Sequence, residues 1–285
     1  MIEAKINHFY SINRILLLNL RNLSRIKGWM LTDYVHILDR FKVISLDEMS
    51  SIRLMNRIDS KYLANEQQLA RLLEMAATDY MVQSINGIRQ SAYSTQYLDD
   101  RYNTMYLNHH NGRLTRQKVR IRTYIDTDDN FFEVKLKNNH GRTKKKRIHI
   151  SGADTYTQEG AAEFLEQNGM LSIPLADMTP KVANCFKRIT LVNNARTERL
   201  TIDSKLSFHN AETGMDRSMD NLVVIEVKRD GNSYSPIQDL LRELRIFPCG
   251  FSKYCIGMAL TTPGIKRNLF NERIRKIEKI TSICF

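Results

Sequence analysis

The segment Gln117 to Asn139, QKVRIRTYIDTDDNFFEVKLKNN, alternates charged and apolar residues through two successive runs. Lys118, Arg120 and Arg122 alternate with Val119, Ile121 and Thr123; beyond an acidic turn, Glu133, Lys135 and Lys137 alternate with Phe132, Val134 and Leu136. Side chains along a strand point to opposite faces in turn. The segment therefore predicts a β-hairpin with one apolar face and one face that sets five cations around a single carboxylate. Any fold for this chain has to find a place for that charged face.

The same inversion recurs at Arg57/Asp59/Lys61, Lys144/Lys146, Arg199/Thr201/Asp203 and Glu226/Lys228, each set in one phase of a period-two pattern. A sheet packed on one side and solvated on the other explains any one of these strands. Solvated faces usually mix signs and add Thr, Ser and Gln, which six strands rich in Arg and Lys do not. The alternative is a closed barrel, apolar outward under helices and charged inward, with no free edges. Uncompensated charges in a lumen cost several kcal/mol each, so the lumen needs water and a highly charged counter-ligand. A chain of phosphates fits, because its oxygens suit Arg forks and Lys point charges. The interleaved Glu133, Asp203 and Glu226 would then hold Mg²⁺ or Mn²⁺ bridging the phosphate oxygens.

The bulk numbers agree. Over 285 residues the formal net charge is +12, which implies an anionic partner without choosing among nucleic acid, phospholipid and phosphorylated small molecules. Four scattered cysteines form no CxxC pair; neither a zinc site nor a disulfide framework is expected, and a reducing cytoplasm fits. The apolar run Ile15–Leu20 is too short to span a membrane. The chain divides into a poorly ordered basic extension at 1–29, one domain at 30–263, and a basic helix and tail at 264–285, with Met30 a plausible start. Ser45 and Glu48 are spaced as a capping box, Asn86-Gly87 as a hairpin turn, and Asn111-Gly112 as a helix stop. Further helices are expected in EQQLARLLEMAA, TYTQEGAAEFLEQNGM, SPIQDLLRELRIF and from about Lys266 to Lys279.

The segments NRIDSKY, KVRIRTY, FFEVKLK, GRTKKKR, FKRITL, RLTIDSKL, VVIEVK and GFSKY follow one another in this order. Together they resemble the VTC domain, the catalytic module of the vacuolar transporter chaperone polyphosphate polymerases and their bacterial relatives, within the triphosphate tunnel metalloenzyme superfamily. The resemblance covers roughly residues 30 to 262. It implies an α+β fold, an eight-stranded antiparallel tunnel β-barrel with a charged lumen and helices packed outside. It also implies metal-dependent transfer of the terminal phosphate of ATP onto a growing polyphosphate chain. By position, Arg120 and Arg122 match the pair that grips the triphosphate, with Lys135, Arg188 and Arg199 as further catalytic cations and Glu226 as the metal-binding glutamate. Arg57, Lys61, Lys118, Lys137, Lys146, Lys228 and Lys253 fall to substrate binding, Lys253 as the lysine of a closing SKY strand.

Two departures from the superfamily matter. Its ExExK signature is replaced by Arg57-Ile58-Asp59-Ser60-Lys61, as in the polymerase branch, and Phe186 stands where some relatives carry a tyrosine. Asp59 and Asp203 keep a tripolyphosphate or nucleoside triphosphate hydrolase open as an alternative, as is a non-catalytic polyphosphate-binding protein. A nucleic-acid-binding protein stacking bases on Tyr93, Tyr97, Tyr102, Tyr106 and Tyr124 is the reading from a different class. No RNP-type sequence or zinc-finger spacing supports it. Simpler roles suffice elsewhere: His109-His110 end a helix, His149 has no acidic partner in sequence, Ser252 has no His/Asp pattern, and the C-terminal basic helix has a solvated face. That helix could instead guard a tunnel mouth or touch anionic lipid.

Overall fold

The computed structural model describes residues 34–52, 57–231 and 233–285. The extension at 1–29, its Ile15–Leu20 run and Met30 lie outside the described residues. The Tyr34 end begins with a 3₁₀ turn at Val35–Arg40, then β1 (Lys42–Ile44), α1 (Leu46–Ser51), β2 (Arg57–Ala64) and α2 (Glu66–Ala76). Next come β3 (Tyr80–Gln83), β4 (Ser91–Asp100), α3 (Thr104–His110), β5 (Arg116–Tyr124), β6 (Asp129–Lys137), β7 (Thr143–Ile150) and α4 (Ala161–Asn168). The long strands β8 (Met178–Asn193) and β9 (Glu198–Asn210) follow, then β10 (Asp216–Met219), β11 (Val223–Asp230), α5 (Pro236–Glu243), α6 (Lys253–Thr261) and α7 (Asn271–Thr281).

Local chemistry sets these boundaries as expected. Ser45 and Glu48 form the capping box that starts α1, and Asn65 and Gln68 form another at α2. Asn86 and Gly87 both take positive φ, 50° and 83°, between the bridged Ile85 and Ile88, as a two-residue hairpin turn requires.

Eight strands pair in the order β2-β11-β9-β8-β4-β5-β6-β7, and β1, β3 and β10 are added at the side. Every pairing along that path is antiparallel. The sheet curls into a half-barrel: its outer strands β2 and β7 are the ends of the ladder and do not pair with each other. The outer edge of β2 is instead met by the chain at Pro248 and Cys249, through a bridge at Tyr62 and a bond from Cys249 N–H to the Lys61 carbonyl.

The outer face is the hydrophobic core. Val119, Ile121, Phe132 and Val134 of the opening hairpin are 0–1% exposed and cluster with Leu165 of α4 and Ile274 and Ile277 of α7. A second cluster joins β8, β9 and β11 to α2 and α5 through Ile189, Ile202, Ile225, Leu69 and Ile237. The C-terminal helix is thus part of the same core.

Lys253 does not lie on a strand. It is the first residue of α6, whose N-cap Ser252 accepts from the Cys255 N–H. Residues Tyr254 to Thr261 are all buried, because α6 packs against the concave face: Tyr254 stacks on Tyr97, and Gly257 abuts Phe208 and Val182. The apolar sequence YCIGMALT suits a helix surrounded on all sides. A β-bulge lets β9 serve this face. Lys205 takes φ +52°, the register with β8 slips by one residue, and Leu206 and Phe208 turn to the face that Asp203 occupies. The displaced Lys205 reaches Glu66 at 2.6 Å.

Candidate functional site: a cationic concavity

Inside the curl, above the N-terminus of α6, lies a cavity of about 2030 Å³ lined by β2, β5, β6, β7, β8, β9 and β11. Cross-strand pairing explains how the charged phases meet there. Arg120 pairs with Glu133 and Lys118 with Lys135, Lys61 with Glu226 and Asp59 with Lys228, and Arg188 with Asp203.

Three carboxylates organise the cations. Glu133 is fully buried beneath the lining and accepts from Arg120 Nε and Nη2 at 2.7 and 2.6 Å and from Lys145 Nζ at 2.9 Å. Burial alone would raise its pKa, but Arg120, Arg122 and Lys145 hold it well below the usual carboxylate range. Asp203 takes a bidentate fork from Arg188, Nε at 2.6 Å and Nη2 at 2.8 Å, and a bond from Lys253. It too stays ionised against burial, held by these two cations. Glu226 accepts from Lys228 at 2.8 Å, and Lys61 stands 3.9 Å off its other oxygen.

Other cations face the space with weaker support. Arg122, 8% exposed, donates to Thr95 Oγ1 at 3.3 Å, and burial beside Arg120 and Arg188 pulls its pKa down. Lys135 is pulled down to about 7 by burial and then by Lys61. Lys118, bonded to Ser252 Oγ at 2.8 Å, falls to about 8, chiefly by burial. Arg199 and Lys137 also line the cavity, and Arg57 does so paired with Asp59 at 2.6 Å. Phe186 stacks on Tyr93 with ring centroids 5.2 Å apart; Lys253 Nζ lies 4.2 Å and Arg188 Cζ 5.1 Å from its ring. Where a tyrosine would offer a hydroxyl, this ring instead supports two cations by cation–π attraction.

Three expectations are corrected. Lys146 points out of the cavity and donates to Asn168 Oδ1 at 2.6 Å; its cross-strand partner is Val134, on the apolar face. The lining residues of β7 include Lys145 and Arg147, and the apolar Ile148 and Ile150 already mark the even positions as the outer phase. Of the three expected metal ligands, Glu133 and Asp203 have both oxygens bonded to cations, whereas Glu226 has one oxygen bonded to Lys228 and the other 3.9 Å from Lys61. Among the described residues no group of three or more His, Cys, Asp or Glu could hold a metal ion. Of the three carboxylates, Glu226 is therefore the best placed, an ionised carboxylate that lines the cavity with one oxygen in no short contact to a cation. That suits a divalent ion bound mainly through phosphate oxygens and one carboxylate, the usual state of Mg²⁺ in phosphate sites. Finally, His149 has an acidic neighbour that the sequence did not show, Asp129 at 3.8 Å.

Sequence reasoning also missed Arg116 and the pair His109–Cys255, and it met Arg273 only as part of the basic C-terminal helix that could guard a tunnel mouth; all four line the cavity. Cys255 Sγ lies 3.0 Å from His109 Nδ1. Arg116 continues the phase of Lys118, Arg120 and Arg122 on β5, which was a local signal for it; nothing in sequence brings α3, α6 and α7 to one place, so His109, Cys255 and Arg273 had none. The tyrosines make no open stacking platform: Tyr93, Tyr97 and Tyr106 are buried, and exposed Tyr102 does not line the cavity.

The concave face of the curled antiparallel sheet thus gathers cations around a few ion-paired carboxylates. The VTC domain model matches residues 56–262, and the chain belongs to that family. No curated protein is similar enough in sequence to match. Solved structures of similar outline include an adenylyl cyclase candidate from Hippeastrum described as having a dominant triphosphatase activity (13% identity, TM-score 0.45, 73% of this chain and 98% of that one). Another is an adenylate cyclase candidate from Vibrio parahaemolyticus (10% identity, TM-score 0.42, 71% and 97%). A third is an RNA triphosphatase from S. pombe (10% identity, TM-score 0.28, 89% and 95%). Identities and scores this low say nothing about activity. Among the described residues, no helix is long and apolar enough to cross a membrane.

Proposed function

We propose that the protein is a polyphosphate polymerase, transferring the terminal phosphate of ATP to a growing polyphosphate chain within the concavity. One observation carries this reading: the carboxylates of the site are engaged with cations. Glu133, Asp203, Glu226 and Asp59, the carboxylates set among the central cations, each hold a Lys or Arg partner, which leaves none of these four poised as a base to activate water. A phosphate acceptor needs no such base. Its terminal oxyanion attacks the γ-phosphorus, the bond from that phosphorus to the β–γ bridging oxygen breaks, and ADP leaves with the electron pair. ATP⁴⁻ and the acceptor become ADP³⁻ and a chain one phosphate longer, with charge balanced and no proton moved.

Phosphoryl transfer of this kind needs positioning and charge neutralisation more than covalent help. Arg120 and Arg122 clamp the triphosphate with Arg188 and Arg199, and Lys135 offsets charge on the transferring group. Lys61 and Lys228, from the facing strands, and Lys253, from the start of α6, hold the phosphates. Mg²⁺ or Mn²⁺, bound by Glu226 and phosphate oxygens, would neutralise charge developing on the leaving ADP.

Incubation with ATP and Mn²⁺, followed by gel electrophoresis, should show long polyphosphate; release of inorganic phosphate alone would mean a hydrolase. Glu226→Ala should abolish turnover. Arg120→Ala should weaken triphosphate binding by roughly tenfold or more, the worth of a charge-assisted contact. Tight triphosphate binding without turnover in the wild type would instead indicate a sensor.

A further inference from the structure

The two ends of the concavity differ in how their cations are held. Along the middle, carboxylates pair with Arg120, Arg188, Lys228 and Lys253. Toward the Arg116 end of β5, neutral oxygens take over. Lys118 donates to the Ser252 hydroxyl, Arg116 Nη1 to the Arg113 carbonyl at 2.8 Å, and Arg273 Nη1 to the Leu269 carbonyl at 3.5 Å. None of the three has an ion-pair partner among the described residues. Arg273 comes from α7, beyond residues 56–262 matched by the family. Its guanidinium packs beside Gly250, where a Cβ would stand in ordinary contact with it, 3.5 Å from Nε.

His109 reports the local field. Burial holds its imidazole neutral, and the charges acting on it most are Lys118, Arg116, Arg273 and Lys61, all of them cations. Partly buried cations without a counter-charge are costly, and an anion relieves that cost. The opposite mouth differs in kind. Around the β5–β6 turn the lining carries Tyr124 and Phe131 with Asp126 and Asp129; the cation there, Arg147, lies over the Phe131 ring at 4.1 Å, and the two carboxylates disfavour phosphate. In the hairpin register Arg116 pairs with Lys137 at one end and Tyr124 with Asp129 at the other. At ~3.4 Å per residue these ends stand about 27 Å apart.

We propose that Arg116, Lys118 and Arg273 form a separate anion subsite that holds the acceptor polyphosphate beyond the γ-phosphate, with the nucleoside toward the β5–β6 turn. The proposal rests on the central cations being the triphosphate site. It makes the concavity directional: the chain extends past α7, and ADP leaves by the aromatic mouth.

Calorimetric titration of the full chain with tripolyphosphate, ATP and a long linear polyphosphate tests this. The wild type should bind the long chain more tightly than tripolyphosphate. Arg116→Gln and Arg273→Gln should each weaken long-chain binding about tenfold, the worth of one charge-assisted contact, and leave ATP and tripolyphosphate affinity unchanged. Arg116→Lys, which keeps the charge, should recover much of the loss. Lys146→Gln removes the same charge from the outer face and should change nothing. Equal weakening toward all three ligands, or an equal effect of Lys146→Gln, would overturn the subsite. The central reading fails separately: orthophosphate as the product together with a persistent chain-length preference would refute the polymerase and leave the subsite standing. Polyphosphate synthesis with no effect of either Gln variant would do the reverse.

Discussion

Lys135 shows at the scale of one residue what the site is for. It faces the cavity without a carboxylate within ion-pair distance among the described residues, and burial next to Lys61 brings its pKa from 10.5 to about 7. Lys118 is brought to about 8 in the same way. Between those values and 10.5 the unfolded chain binds more protons than the folded one, so these groups make stability rise with pH across that window. Below about 7 their cost is present in full. A bound triphosphate reverses the balance by favouring the ammonium forms. Binding at pH 8 should therefore take up protons, read as a dependence of the calorimetric enthalpy on the buffer's ionisation enthalpy. Lys135→Met should reduce that uptake, and an enthalpy independent of buffer would contradict the assigned environment.

At the scale of elements, periodicity was readable wherever apolar and charged residues alternated cleanly. The β5–β6 hairpin and β11 have the phases that their sequences imply, because one face of each is packed with Val, Ile and Phe, and in β2 the buried Tyr62 and Ala64 oppose the phase of Asp59 and Lys61. In β7 four consecutive cations, Lys144 to Arg147, hide the phase, and only Ile148 and Ile150 beyond them mark it. The helix α6 was not legible as part of the interior. Its apolar sequence has no strong period, and its place depends on the bulge at Lys205, a long-range feature. That packing predicts a sharp sensitivity. Gly257→Ala would put a Cβ 2.6 Å from Phe208 Cδ1 and 3.1 Å from a Val182 methyl, so overpacking should cost about 1–3 kcal/mol. Chemical denaturation measures this, and Ser252→Ala should cost about 1 kcal/mol by loss of the α6 cap. The part of the site contributed by α3, α6 and α7 was invisible for the same reason, since His109, Cys255 and Arg273 meet only after the helices dock.

For the whole molecule, the net charge of +12 follows from where the cations sit. Most of the hydrophobic core lies outside the curl; inside, α6 packs one part of the concave face and paired and unpaired charges line the rest. Such a design is stable with a polyanion in place and repulsive without one. Its engaged carboxylates favour a phosphate oxygen over water as the attacking group, which is the central claim. Turnover of ATP in ¹⁸O-labelled water, followed by mass spectrometry of the products, tests it directly. The polymerase should yield ADP and polyphosphate with no ¹⁸O incorporated at the transferred phosphorus. Orthophosphate carrying one ¹⁸O per ATP consumed would show that water is the acceptor and would contradict the account.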